Sequence, residues 1–374
     1  PINFNYIFGS FSVNWSFNGL GPWLGDCIAS GGGSPWAVSL VSDGIIKGVS
    51  AVLNFLPQLI VMFIFLGLLE TTGYMSRIAF FLDRVFHKFG LSGKSLVPFI
   101  VGSGCSVPGI MSTRIIEDEN ERKSTMILTP FIPCSAKLPI IALFSSYFFG
   151  KFAWLISLSL YVIAILIILL FGYLFKKIIF KDEHSSFISE LPEYRKPNGK
   201  YVIRDVREKS FSFVKKAGSI ILLFSILIWF LSRFTWSMRY VEASEINQSI
   251  LASIGNAFAW FFYPMLGEWS WGATVSSIQG LIAKEQVVAS MAIISGNSAS
   301  MFEPGQAFGF LTGSSAYAFM VFNLFSAPCV AALGALRKES GKLSTFIFAV
   351  IFQISLAWIL ATLIGLIGRM VIFL

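Results

Sequence analysis

The chain has 374 residues, 55% of them hydrophobic and only 13% charged, with a formal net charge of +8 and a mean hydropathy of +0.73. Such a composition excludes a soluble domain of this length and leaves a multi-pass membrane protein with a basic cytoplasmic face. The 2 histidines argue against imidazole catalysis or a His-rich metal centre, and 4 scattered cysteines with no CxxC exclude a disulfide framework.

In chain order, residues 1–50 read as an outer interfacial loop region. Trp15, Trp23 and Trp36 suit the headgroup level, and Cys27 has no second cysteine near it. The uncharged run over 51–69 is long enough for a hydrocarbon core of roughly 30 Å, and Glu70 closes it. Residues 74–89 place Ile78, Phe81, Leu82, Val85 and Phe89 on one face and Arg77, Arg84 and Lys88 on the other, the period of a helix lying on the membrane surface. Residues 96–113, LVPFIVGSGCSVPGIMST, are uncharged but interrupted by Pro98, Gly102, Gly104, Pro108 and Gly109. Backbone groups freed in hydrocarbon cost several kcal/mol each, so this segment is expected to be re-entrant and to line a cavity.

Spans over 124–150, with Pro133, Cys134 and Lys137, and over 152–175 come next, then a basic cytoplasmic linker over 176–210. The second half repeats the order. A span over 211–232 and an interfacial piece over 249–262 precede a broken segment over 273–294, which carries Gly280, Lys284 and Glu285. A small-residue span over 314–336 holds Pro328 and Cys329, and the last span covers 343–368. The expected fold class is an all-α polytopic membrane protein with about six full crossings and two re-entrant segments.

Lys and Arg counts orient it. The stretches 70–95, 114–123, 176–216 and 337–342 together hold 21 and belong inside, against 4 in the remaining loops. The first broken segment then enters and leaves from the cytoplasm and the second from outside, an inverted-topology repeat of the transporter kind. A first gate repeat over 51–175 and a second over 211–374 follow, and the 29 residues from Ser124 to Ala153 match the 29 from Ser315 to Ser344.

The residue types at the breaks restrict the cargo. Cys105 sits among glycines that let the backbone approach a permeant, while Cys134 and Cys329 each follow a proline that frees a carbonyl one turn earlier. Thiol, carboxylate and carbonyl ligands favour a borderline or soft divalent ion over magnesium or calcium. Glu285 is an intramembrane carboxylate and hence a functional candidate, or the partner of an ion pair with Lys137; Glu70 would stand at the inner mouth of a path. Gly93-Lys94-Ser95 lacks the upstream glycine of a phosphate loop, so no nucleotide site is expected in this chain. The basic linker reads as a contact for anionic membrane lipids, with no nucleic acid implied.

In their order, DGIIKGVSAVLNFLPQ, LLETTGYMSRIAFFLDR, GKSLVPFIVGSGCSVP, TPFIPCSAKLP, AKEQVV and APCVAALGALRKES resemble the membrane domain of the ferrous iron transport protein B family, from about residue 43 onward. The resemblance implies Fe2+ uptake across the bacterial cytoplasmic (inner) membrane. It matches Cys105, Cys134 and Cys329 to the family's motif cysteines and Glu285 and Glu70 to its motif glutamates. Ser106 stands where the family usually has Asn, as a further polar group beside the ion, and Thr71 and Thr72 replace an acidic-small pair. The family also implies an N-terminal GTPase domain, preceding a membrane helix, as a partner outside these residues. A chain starting at Pro1 then reads as a cleaved or truncated product that is itself a transporter and no enzyme. A homo-oligomer stays open, as do three other readings: a different divalent metal, a nucleoside-like solute, or a membrane scaffold that transports nothing.

Overall fold

The computed structural model describes residues 35–74, 77, 78, 80, 81, 91–179, 199–241, 248–295, 302 and 308–373. The outer loop over 1–34 with Cys27, most of the surface helix expected over 74–89, and the polar stretch 180–198 lie outside these residues. The chain packs as two compact units.

The first unit comprises Pro1–Thr71 and Lys196–Gly255. Its helices are α1 (Lys47–Thr71), α7 (Gly199–Phe213) and α8 (Ser219–Arg233). Small residues set their approach: a side chain on Gly67 would meet Val202 at 3.3 Å, and one on Gly48 would meet Ser225 at 2.9 Å. Ser225 Oγ donates to the Gly44 carbonyl at 3.1 Å, and the Trp229 indole donates to Ser39 Oγ at 3.0 Å.

The second unit comprises Thr72–Arg195 and Asn256–Leu374. It holds α2 (Leu96–Gly104), α3 (Ser106–Ser112), α4 (Glu119–Leu128), α5 (Leu138–Phe149) and α6 (Ala153–Leu174), then α10 (Trp271–Ile282), α11 (Gln286–Ser295), α12 (Gly313–Phe325), α13 (Val330–Glu339) and α14 (Leu343–Phe373). The greater part of α9 (Ile250–Leu266) also belongs here. Three prolines of this unit fall where a helix tolerates them, whereas Pro264 lies inside α9. Pro139 opens α5, and Pro98 and Pro108 lie in the first turns of α2 and α3, where an N–H has no intrahelical partner to lose.

Packing in this unit rests on apolar side chains and a few buried polar ties. Phe131, fully buried, lies 6.1 Å from Phe325 and 6.0 Å from Phe352 between ring centroids. The fully buried Gln353 of α14 donates to the Ile127 carbonyl of α4 at 2.9 Å. Trp358 donates to the Phe261 carbonyl at 2.7 Å, and Ser159 shares a 2.8 Å hydrogen bond with Tyr317.

Among the described residues, Glu119–Lys177, Gly313–Glu339 and Leu343–Met370 are long and apolar enough to cross a membrane, and the pair Ile250–Leu266 and Trp271–Ile282, bent by 97°, adds a fourth if taken as one span. Glu119–Lys177 turns at Gly150, whose φ is +44°, and so contains both spans expected over 124–150 and 152–175. The spans expected over 51–69 and 211–232 are helical, with shorter apolar stretches, Leu56–Leu69 and Leu222–Arg233. Length and apolarity alone thus yield fewer crossings than six. The chain is an all-α, polytopic integral membrane protein.

Candidate functional site: four helix breaks

Each sequence-predicted break is a break in the structure, and the re-entrant pair breaks in nearly the same backbone conformation. Between α2 and α3 a single residue, Cys105, is extended at φ −152°, ψ 131°. Between α10 and α11 the chain leaves the helix at Ala283, with φ −148° and ψ 122°. The register is shared: Gly102 lies three residues before Cys105 and Gly280 three before Ala283. The Cys105 N–H donates to Val101 O at 3.1 Å and the Ala283 N–H to Gln279 O at 3.2 Å, so each first half-helix closes its last turn before the chain turns away.

Glycines let the half-helices fold back on themselves. A side chain on Gly109 would meet the Gly102 backbone at 2.7 Å and Thr129 Cγ2 at 3.0 Å, and one on Gly102 would meet Thr129 Cγ2 at 2.9 Å. The equivalent contact of Gly280 is with the Val287 side chain, beside Asn323 Oδ1 at 3.6 Å.

The other two breaks are those ahead of the Pro-Cys pairs. After α4 a 3₁₀ turn, Thr129–Phe131, ends at Ile132 (φ −67°, ψ 132°) and the chain stays extended to Cys134 (φ −88°, ψ 167°). After α12 it is extended at Ser326 (φ −63°, ψ 168°) and again at Cys329 (φ −59°, ψ 158°).

The thiols expected in the site all belong to the second unit. Cys105 and Cys134 are buried, Cys329 is half-buried, and all three are free thiols. Cys105 lies within electrostatic reach of Cys329, Cys134 and Glu285, and Cys329 within reach of Cys134, Glu285 and Lys284. Ser106 opens α3 with its hydroxyl buried and unpartnered. Among the described residues no three His, Cys, Asp or Glu side chains converge closely enough to hold a metal ion by themselves. A cation here would therefore complete its shell with backbone carbonyls, hydroxyls or water. Glu70 belongs to the first unit, and its side chain lies outside the described residues.

Two buried lysines were undervalued by the sequence reading. Lys137 and Lys284 are each 1% exposed. The alternative reading of Glu285 pairs it with Lys137, yet among the described residues neither lysine forms an ion pair with it. Lys137 Nζ instead donates to the Pro130 carbonyl at 2.7 Å and the Leu324 carbonyl at 2.6 Å. Lys284 Nζ donates to Ser326 Oγ at 2.9 Å. Asn323, also fully buried, donates to Phe319 O at 3.0 Å and leaves its carbonyl oxygen unpartnered. The sequence signal for all of these is a polar residue close to a proline or glycine break in an apolar run.

At the polar rim, Arg114 forms a two-pronged ion pair with Glu339, its Nε donating at 2.8 Å. The hydrogen bonds with Glu339 hold the guanidinium above its ordinary range. Glu121 accepts from Ser92 N at 2.6 Å and Ser95 Oγ at 2.8 Å, which fixes the approach to α2.

A gate family, described as nucleoside recognition, matches residues 52–148 and 214–343, the two halves that carry the paired breaks. A second match, described as ferrous iron transport protein B C terminus, covers residues 157–209. The chain belongs to the gate family. Among curated relatives, the Fe(2+) transporter FeoB of Staphylococcus aureus (strain MSSA476) is 43% identical over 342 residues, 90% of this chain and 50% of the relative. That of Methanocaldococcus jannaschii is 39% identical over 352 residues, 93% and 52%. An Fe(2+) transport protein A/Fe(2+) transporter FeoB fusion protein of Porphyromonas gingivalis is 35% identical over 408 residues, 97% and 48%. The chain thus spans about half the length of the curated relatives it matches. No solved structure matches it significantly.

Proposed function

We propose that this gate chain is the permease half of a ferrous-iron uptake protein of the bacterial cytoplasmic membrane, in which Fe2+ passes between two inverted gate repeats. The observation that carries this reading is that three free thiols, from three separate helix breaks, lie within electrostatic reach of one another, two of them, Cys105 and Cys329, also within reach of Glu285. The relatives that cover nine-tenths of the chain support it, being named Fe(2+) transporters. Fe2+ sheds hydration water stepwise for the Cys105, Cys134 and Cys329 sulfurs, the Glu285 carboxylate, the Ser106 hydroxyl and freed carbonyls. Borderline ligands of this kind suit Fe2+ and disfavour Mg2+. Glu70 receives the ion at the inner mouth. The basic stretches 70–95 and 176–216 couple the passage to a GTPase domain and lie against anionic lipid.

The gate family's description names nucleosides. A nucleoside path needs aromatic faces and amides around the cargo, and the breaks place thiols there instead.

The test is anaerobic Fe2+ influx into liposomes holding the full-length protein, wild type beside the triple Cys105, Cys134, Cys329→Ser variant, with Mg2+ and uridine as control cargoes. The variant is expected to lose at least about tenfold in Fe2+ influx, the scale of removing a soft ligand, with no Mg2+ or uridine signal in either protein. Influx retained in the folded triple variant removes the thiols from the path; uridine uptake replaces the cargo.

A further inference from the structure

The Pro-Cys breaks free two carbonyls, and one buried cation occupies both. Pro328 has no N–H to offer the Leu324 carbonyl four residues before it, and Pro133 none to offer Pro130 three before it. Lys137 Nζ donates to these two oxygens, at 2.6 and 2.7 Å respectively. An ammonium taken out of water is stable only where hydrogen bonds replace hydration. Here they come from the C-terminal, electronegative ends of two interrupted helices. The two oxygens belong to different repeats, 187 residues separating Lys137 from Leu324. The same ammonium lies within electrostatic reach of Cys134 and Cys329. Lys284 lies near the same helix end, bonded to Ser326 Oγ at 2.9 Å and within reach of Lys137.

We propose that Lys137 is a positioning residue that serves as a tethered resident cation: its ammonium fills the carbonyl cradle between the two Pro-Cys breaks, holds the repeats closed there, and must leave before a divalent cargo takes the same oxygens. The inference deepens the permease reading and rests on it for the cargo. Its structural core, the closure of the two breaks by an ammonium, does not depend on which ion is carried.

The experiment follows closure through Cys134 and Cys329. Full-length protein in liposomes is treated with methyl methanethiosulfonate, and modification of each cysteine is timed by mass spectrometry for wild type, Lys137→Ala and Pro328→Ala. Losing a charged, buried hydrogen-bond donor should accelerate modification in Lys137→Ala by about tenfold or more. Millimolar propylammonium, a detached copy of the missing head, should restore most of the slow rate. Pro328→Ala keeps the charge but supplies an N–H that competes for the Leu324 carbonyl, so its rate should rise by roughly threefold to tenfold.

A wild-type rate in folded Lys137→Ala overturns the inference, as does an acceleration indifferent to propylammonium, which marks plain loss of packing. If Lys137→Ala yields no folded protein, Pro328→Ala decides, and a wild-type rate there overturns the inference. None of these rates requires Fe2+. Liposomes that carry no Fe2+ would therefore end the cargo reading alone.

Discussion

At the first re-entrant break a single extended residue, Cys105, separates α2 from α3, whereas at the second Ala283, Lys284 and Glu285 separate α10 from α11. The dihedral angles, the preceding glycine and the closing hydrogen bond agree; the side chains do not. One repeat presents a neutral thiol where the other presents a cation and an anion. The lysines cross over as well. The first repeat carries its lysine after the Pro-Cys pair, where the second has Ala332, and the second carries its lysine in the re-entrant break. Both ammonium groups nevertheless reach the end of α12. The paired breaks thus share a backbone conformation, while the side chains placed on it differ in charge.

That comparison breaks most sharply at the glycines. Gly109→Ala drives a methyl into the Gly102 backbone, so a loss of ~3 kcal/mol or more is expected. Gly280→Ala meets only a side chain, Val287, and should cost about 1–2 kcal/mol, most of it returned by adding Val287→Ala. Thermal unfolding in detergent measures both, and equal losses would show that the two glycine contacts are equivalent after all.

The hydroxyls sharpen it next. Ser326→Ala removes the acceptor of the Lys284 ammonium and should lower stability by about 1–2 kcal/mol. Ser106→Ala, whose hydroxyl has no partner, should stay within about 0.5 kcal/mol while slowing Fe2+ influx. If Ser106→Ala proves as unstable as Ser326→Ala, that hydroxyl is a structural group and not a ligand held in reserve.

A small, salt-dependent effect belongs to the rim, where Arg114 after α3 pairs with Glu339 at the end of α13. Arg114 is half exposed, so Arg114→Gln should cost only about 0.5–1 kcal/mol at low salt, and less as salt is raised. A loss unaffected by salt would mean that the pair works by packing rather than by charge.

Much of this was legible in the chain. Prolines and glycines clustered in an uncharged run point to interruption, although a lone Pro57 leaves α1 continuous, and the breaks expected within 96–113 and 273–294 fall at Cys105 and at Ala283 to Glu285. The Pro-Cys pairs were equally plain, because proline's missing N–H is a local property. The roles of Lys137 and Lys284 were not legible. A lysine in an apolar span suggests a carboxylate partner, and Glu285 was the nearest candidate by type. The actual partners are main-chain oxygens and a serine, and backbone carbonyls leave no mark in a sequence. Asn323 escaped notice for a similar reason, since its fit beside Gly280 depends on two helices 43 residues apart meeting at one level. The grouping of α1, α7 and α8 as a unit of their own also has no local signal, because α1 finds α7 only after the whole first gate repeat has been made.

Gln353 carries a consequence for biogenesis. It stands in the middle of a 31-residue helix and meets Ile127, 226 residues upstream. A ribosome delivers α4 to the bilayer long before α14. When α14 is inserted, its amide is a polar group in oil, and its acceptor, the Ile127 carbonyl near the end of α4, has already been made. Insertion of the final span would then be coupled to recognition of the first repeat, a built-in proofreading step that rejects a polypeptide whose earlier half has gone in with the wrong topology.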